Sequence, residues 1–206
     1  MNIIKTRVKI CGITNLNDAL NAIEAGADTL GFVFYDKSPR FIDPIDARDI
    51  IRQLPPFVQT VGLFVNLYGA EVDFIVKRSE VDIAQIHFGA DHKFYTSLQS
   101  KYLKVIRAKS KNDILQYKDE YRIVDAFVDS YGGEGKRLEL NWFKDIDCSK
   151  IILAGGLTSD NLKEIKEYNF YGVDVSSGVE LSKGIKDKDK MNRFIEEVKR
   201  IDELHR

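Results

Sequence analysis

A cysteine at the end of an apolar strand can take up or give a proton once it ionises, and Val8-Lys9-Ile10-Cys11-Gly12-Ile13-Thr14 sets one there. Gly12 lets the backbone turn away at once, which leaves the sulfur where a strand opens onto a loop. A carboxyl partner is offered by Asp129, the last residue of the apolar run 126–129, a place where an ionised carboxylate is costly unless solvated, paired or protonated. Arg40, in Lys37-Ser38-Pro39-Arg40, can fork onto a carboxylate. Gln85 and His87 flank the end of another apolar run and are candidates for ligand contacts.

Two further segments suggest an anion cradle. Leu153-Ala154-Gly155-Gly156-Leu157 allows close backbone approach at Gly155 and Gly156. In Asp174-Val175-Ser176-Ser177-Gly178-Val179-Glu180, the hydroxyls of Ser176 and Ser177 and the turn at Gly178 offer donors to a phosphate. The expected ligand is a phosphorylated small molecule. Gly132-Gly133-Glu134-Gly135-Lys136 is not a nucleotide phosphate loop, because Ser130 stands where such a loop needs glycine and Arg137 replaces the required Ser or Thr. It reads instead as a glycine-rich loop beside Asp129, able to cover bound substrate.

These residues need a scaffold that gathers strand ends. Short runs rich in Val, Ile and Phe occur at 7–10, 29–34, 60–64, 83–86, 104–107, 126–129, 151–154 and 173–175, separated by longer amphipathic stretches. Asn15 precedes a helical pattern reaching Ala25, and Asp43-Pro44 opens another with capping residue and first-turn proline in the favoured order. Helices are also predicted over 71–77, 159–168 and 187–204, with shorter ones over 91–99, 111–117 and 138–143. Eight such units, with no glycine-rich dinucleotide turn after the first strand, predict an α/β fold: one (β/α)8 barrel, a TIM barrel with few insertions, covering residues 1–206 as a single domain.

Composition narrows the function classes. Thirty-one Lys plus Arg against thirty-two Asp plus Glu leave a net charge of -1, and no basic stripe suits nucleic acid. No run is long enough to span a bilayer and no export signal is visible, so neither nucleic acid nor membrane is an expected partner. Cys11 and Cys148 lie far apart without metal-binding spacing, which fits a reducing cytoplasm and neither a disulfide framework nor a metal site.

The constellation resembles the phosphoribosylanthranilate isomerase family of tryptophan biosynthesis along nearly the whole chain. It is carried by Lys9-Ile10-Cys11-Gly12-Ile13-Thr14, Gly31-Phe32-Val33-Phe34 with Lys37-Ser38-Pro39-Arg40, Val61-Gly62-Leu63-Phe64-Val65-Asn66, Gln85-Ile86-His87, Asp129 and the two cradle segments. The resemblance implies a (β/α)8 barrel that performs an Amadori rearrangement of a phosphosugar–anthranilate substrate without metal or cofactor. It also implies Cys11 as general base, Asp129 as general acid, Arg40 on the anthranilate carboxylate, Asp174 facing the ligand, and the Gly155 and Ser177 regions as phosphate cradle. Asp36, Phe88, Glu134 and Lys183 depart from residues usual in the family, and 138–142 looks lengthened. Assembly as monomer or homodimer is left open. Related phosphosugar barrels are disfavoured, since the histidine-pathway isomerase would carry aspartate in place of Cys11 and indole-glycerol-phosphate synthase a strand-end lysine. A barrel that binds phosphosugar without turnover is the non-enzymatic alternative.

Free thiols titrate near pH ~8.5 and aspartates near ~3.9, so solution values would leave base and acid in the wrong forms at neutrality. Desolvation is therefore expected to keep the acid protonated, and cationic surroundings including Arg40 to help ionise Cys11.

Overall fold

A computed structural model describes residues 5–127 and 137–204. Eight parallel strands follow one another around a closed barrel: β1 (Arg7–Cys11), β2 (Thr29–Val33), β3 (Gln59–Phe64), β4 (Ile83–Ile86), β5 (Tyr102–Ala108), β6 (Arg122–Ala126), β7 (Ile151–Leu153) and β8 (Gly172–Val175). Closure is explicit in β1, which pairs with β2 through Cys11 and Gly31 and with β8 through Lys9 and Asp174. The expected (β/α)8 architecture is thus present.

Successive side chains of a strand point to opposite faces, and this alternation divides the core. Val8 and Ile10 of β1 pack outward into a continuous apolar shell with Ala19, Ala22, Phe194 and Ile195 of the surrounding helices. Inside the barrel, Cys11 clusters with Val33, Leu63 and Val65, and Val105, Ile123 and Ala154 form a second group. Polar residues of the same inward register, Lys9, Gln85 and Asp174, are buried with them.

The helices are α1 (Leu16–Ala25), α2 (Pro44–Ile51), α3 (Gly69–Ser79), α4 (His92–Ser97), α5 (Lys111–Ile114) and α6 (Lys188–Leu204). The first two start as the sequence predicts: Asn15 accepts a hydrogen bond from the Asp18 amide, and Asp43 accepts from Ile45 with Pro44 at the first helical position. No helix among the described residues is long and apolar enough to cross a membrane.

Three local expectations are corrected. The helix predicted over 159–168 is a single 3-10 turn, Leu162–Ile165. Asn161 ties down its start by accepting from the Thr158 amide (3.0 Å) and donating to the Gly156 carbonyl (2.9 Å), so only Leu162 and Ile165, three residues apart, turn fully inward. The sixth strand runs from Arg122 to Ala126 rather than over 126–129. An antiparallel hairpin of β9 (Glu180–Ser182) and β10 (Ile185–Lys186), which the sequence reading omitted, follows β8. It is fastened to the loop after β1 where Thr14 Oγ1 donates to the Gly184 carbonyl (2.6 Å), and to α1 where the Lys186 amide donates to Asp18 (2.8 Å).

The loops after β7 and β8 press together at Gly178, where a Cβ would run into the Leu157 carbonyl oxygen. Gly178→Ala is therefore expected to cost at least the ~1–3 kcal/mol typical of overpacking, read as a lower thermal melting midpoint. An unchanged midpoint would show that the two loops can part freely.

Candidate active site

The functional side chains converge on the mouth formed by the strands' C-terminal ends. Cys11 ends β1 and is 6% exposed. Beneath it on the same face, the Lys9 ammonium is bound by both carboxylate oxygens of Asp174 from β8, at 2.9 and 3.0 Å. Gly31 on β2 makes room for this arrangement: Cys11 Sγ and Lys9 Nζ each lie 2.9 Å from the point where its Cβ would stand. A side chain at position 31 would displace the sulfur, the ammonium or both.

Asp125 comes from β6, which is separated from β1 by β7 and β8 along the shorter way around the barrel. Its Oδ2 lies 4.0 Å from Nε2 of His87, which follows β4, and its side chain is 16% exposed. Burial, followed by the negative charge of Asp174, pushes the Asp125 carboxyl up to about 7, against the backbone amide of Ala126 and the cations Arg107 and Lys9. His87 goes the other way: burial and the nearby charges of Arg107 and Lys9 bring it down to about 3, so its imidazole is neutral at physiological pH. Burial also works against the Lys9 ammonium, yet Asp174 and the Cys11 sulfur hold its pKa above the ordinary lysine value. Buried Gln85 Oε1 has no hydrogen-bond partner among the described residues.

Arg40 forks onto a carboxylate as its residue type suggests, but that carboxylate belongs to the protein. Its Nε and Nη2 donate to Oε1 and Oε2 of Glu180, both at 2.7 Å, across a sequence separation of 140 residues. Lys186 from β10 donates to the same Oε1 at 3.0 Å and to the Ser176 carbonyl at 3.2 Å. Burial would raise the Glu180 carboxyl, but the Arg40 and Lys186 contacts pull it below the usual range. Gly12, at φ +79°, lets the arginine pass, since a Cβ there would stand 2.7 Å from Arg40 Cδ and 3.2 Å from Ser176 Oγ.

The two halves of the expected anion cradle are neighbours. Gly155 and Gly156 both have positive φ, +92° and +61°, a backbone conformation L side chains rarely adopt. Ser177 and Gly178 begin a 3-10 turn against that loop. Ser176 instead faces Gly12 and Lys186, and so lies on the β1 side of the mouth.

Asp129 and the glycine-rich stretch 132–136 lie outside the described residues. Asp125, Lys9, Glu180 and Lys186 were not singled out by the sequence reading. A signal for Asp125 existed: Arg122-Ile123-Val124-Asp125-Ala126 places an acid in a strand at the inward register that Cys11 holds in Arg7-Val8-Lys9-Ile10-Cys11. Cys148 is fully buried, its thiol pushed up to about 12 by burial and by Asp147.

Fold and site together define a (β/α)8-barrel protein with a thiol and a protonatable carboxyl inside one strand-end mouth. The family model for N-(5'-phosphoribosyl)anthranilate (PRA) isomerase matches residues 8–197. The N-(5'-phosphoribosyl)anthranilate isomerase of a Nitratiruptor species is 58% identical over 94% of this chain and 98% of its own length, and that of a Sulfurovum species is 56% identical over 95% and 100%. Among solved structures, phosphoribosyl anthranilate isomerase from Thermus thermophilus superimposes with a TM-score of 0.86 at 31% identity, covering 95% of this chain and 100% of that one. A second, a phosphoribosyl anthranilate isomerase in complex with reduced 1-(o-carboxyphenylamino)-1-deoxyribulose 5-phosphate, does so with a TM-score of 0.81 at 36% identity, covering 94% and 98%. The chain belongs to the N-(5'-phosphoribosyl)anthranilate isomerase family.

Proposed function

We propose that this chain catalyses the Amadori rearrangement of N-(5'-phosphoribosyl)anthranilate to 1-(2-carboxyphenylamino)-1-deoxyribulose 5-phosphate, a step of tryptophan biosynthesis, by general acid–base catalysis. The observation that carries the reading is a carboxyl on β6, held protonatable near neutrality, in the same mouth as a thiol on β1. The resemblance implies Asp129 for this acid, and Asp125, four residues earlier, is the carboxyl on β6 that stands at the mouth among the described residues.

Asp125 gives its proton to the furanose ring oxygen as the C1–O bond breaks, which leaves an iminium conjugated to the anthranilate nitrogen. The iminium acidifies the neighbouring sugar C2–H, and the Cys11 thiolate removes that proton. The resulting enolamine becomes the ketose as C1 takes a proton back from the Cys11 thiol and the C2 hydroxyl returns one to the carboxylate, which resets both side chains. Protons and electrons balance within the substrate and the two side chains, so the scheme calls on no metal or cofactor. Each proton transfer contributes on the order of 10²–10⁴ in rate.

Gly155, Gly156, Ser177 and the turn at Gly178 take the phosphate, with Ser176 at the edge of the cradle. Arg40 keeps Nη1, the nitrogen Glu180 does not engage, for the anthranilate carboxylate. Asp174, neutral His87 and the Gln85 carbonyl oxygen face the sugar hydroxyls between these anchors, which convert remote binding into alignment. On this reading residues 1–206 form one catalytic domain, a monomer or homodimer working in the cytoplasm, where Cys11 and Cys148 stay reduced. Generating the substrate in situ and following the decay of its anthranilate fluorescence tests the reading. The purified protein is expected to accelerate the decay by orders of magnitude, and no acceleration by the folded protein would leave it a phosphosugar-binding barrel.

A further inference from the structure

Lys9 places an ammonium inside the barrel, where taking a charge out of water is expensive. Pairing with Asp174 offsets that cost but does not explain the residue, since buried ion pairs are commonly replaceable by apolar side chains without loss of stability. An ammonium has three N–H donors, and Asp174 takes two through its separate oxygens. The remaining side of Nζ faces the small gap above Gly31, whose other wall is Cys11 Sγ.

Several charged or titratable groups surround the sulfur. Arg40, from the loop after β2, and Lys186, from β10, act on it through charge alone and already share Glu180 of β9. Asp174 of β8 reaches it only through Lys9. Asp125 of β6, His87 after β4 and Arg107 of β5 belong to the far side of the mouth, and the imidazole is neutral. Lys9 alone among these shares with the sulfur the gap over Gly31, where Lys9 Nζ and Cys11 Sγ each lie 2.9 Å from the point a Cβ would occupy.

We propose that Lys9 is a positioning residue for the proton transfer at Cys11: its third N–H binds the thiolate from the barrel floor, while Asp174 holds the ammonium in place. The inference rests on Cys11 as the base. It explains why a glycine stands at position 31 and why the charged pair lies directly below the reactive sulfur rather than at the barrel rim. A thiolate held this way points its free lone pairs out toward the sugar, where the C2 proton must be met.

The test needs no substrate, so its failure is distinct from failure of the isomerase reading. Carboxamidomethylation of Cys11 by iodoacetamide is followed against pH by mass spectrometry of the Cys11 peptide. Cys148, fully buried, is the internal non-reactive control. In Lys9→Met, the midpoint of the reactivity curve is expected to move up by at least about one pH unit, slowing alkylation at pH 7 about tenfold. If an unpaired Asp174 keeps that variant from folding, Lys9→Met/Asp174→Asn removes both charges and is expected to show a smaller shift in the same direction. In the fluorescence assay, the folded variant should lose kcat with little change in KM and show its acid limb displaced upward. A folded variant whose Cys11 reacts along the wild-type pH curve would overturn the proposal, even with the isomerase activity intact.

Discussion

Asp125→Asn is expected to remove about 10²–10⁴ of turnover and at the same time to make the folded protein more stable above neutral pH. The amide matches the carboxyl in shape but cannot give up a proton to the furanose oxygen. The stability gain follows from linkage. Unfolded, the aspartate ionises near ~3.9; folded, burial and the facing Asp174 hold it up to about 7. Between these values the native state keeps a proton the unfolded chain has lost, so wild-type stability falls as pH rises from about 4 to 7 and levels off above. Asparagine carries no such penalty, and its advantage should grow across that window to about 2–4 kcal/mol. Thermal melts at pH 4.5 and pH 8, run beside the fluorescence assay, read both effects. Asp129→Asn is the matched control. Near-wild-type turnover in Asp125→Asn, with loss in Asp129→Asn, would return the acid role to position 129.

The sixth strand lies earlier in the chain than the apolar run 126–129 suggests, and the difference has a physical origin. Buried parallel strands show as apolar runs, and seven of the eight were recognisable for that reason: 29–34, 83–86 and 173–175 all overlap the observed strands. β6 breaks the rule because charged residues sit at two of its five positions. Arg122 looks like a loop residue, yet it is 1% exposed, and its guanidinium caps the carbonyls of Ile114, Lys118 and Glu120 at the foot of the barrel. Asp125 looks like the end of a loop for the same reason, so the apolar residues after it drew the predicted strand toward the C-terminus. Cys11, Gln85, His87 and Asp174 were legible as candidates because each stands within a residue of a strand end, and Arg40 because it lies in the loop after β2; closure of the barrel brings such positions together. What each touches was not legible. Contacts such as Arg40 with Glu180, or Lys9 with Asp174, join residues 140 and 165 positions apart, and local sequence patterns carry no trace of them.

Glu180 shows most directly what those hidden contacts do. Glu180→Gln keeps the side chain's size but leaves Arg40 and Lys186 facing each other as like charges in a buried site, with side chains 9% and 0% exposed. Removing one member of a buried ionic cluster costs about 3–5 kcal/mol, and that loss is expected here near pH 7. The cheapest relief is for Lys186 to give up its proton, since burial already draws its pKa below the ordinary value and Glu180 is what opposes the fall. With the carboxylate gone, the folded-state pKa drops further from the ~10.4 of an unfolded lysine. Between the two values the unfolded chain holds the extra proton, so the variant's stability must rise with pH. The gap to wild type should therefore narrow steadily from pH 6 to pH 9 in chemical denaturation, and Glu180→Gln/Lys186→Met, with a single buried cation left, should recover much of the loss at pH 7. A gap that stays constant over that range would mean that Lys186 keeps its proton beside Arg40. In that case water, rather than Glu180, would be screening the pair, and the hairpin over the mouth would be looser than its hydrogen bonds to Thr14 and Asp18 imply.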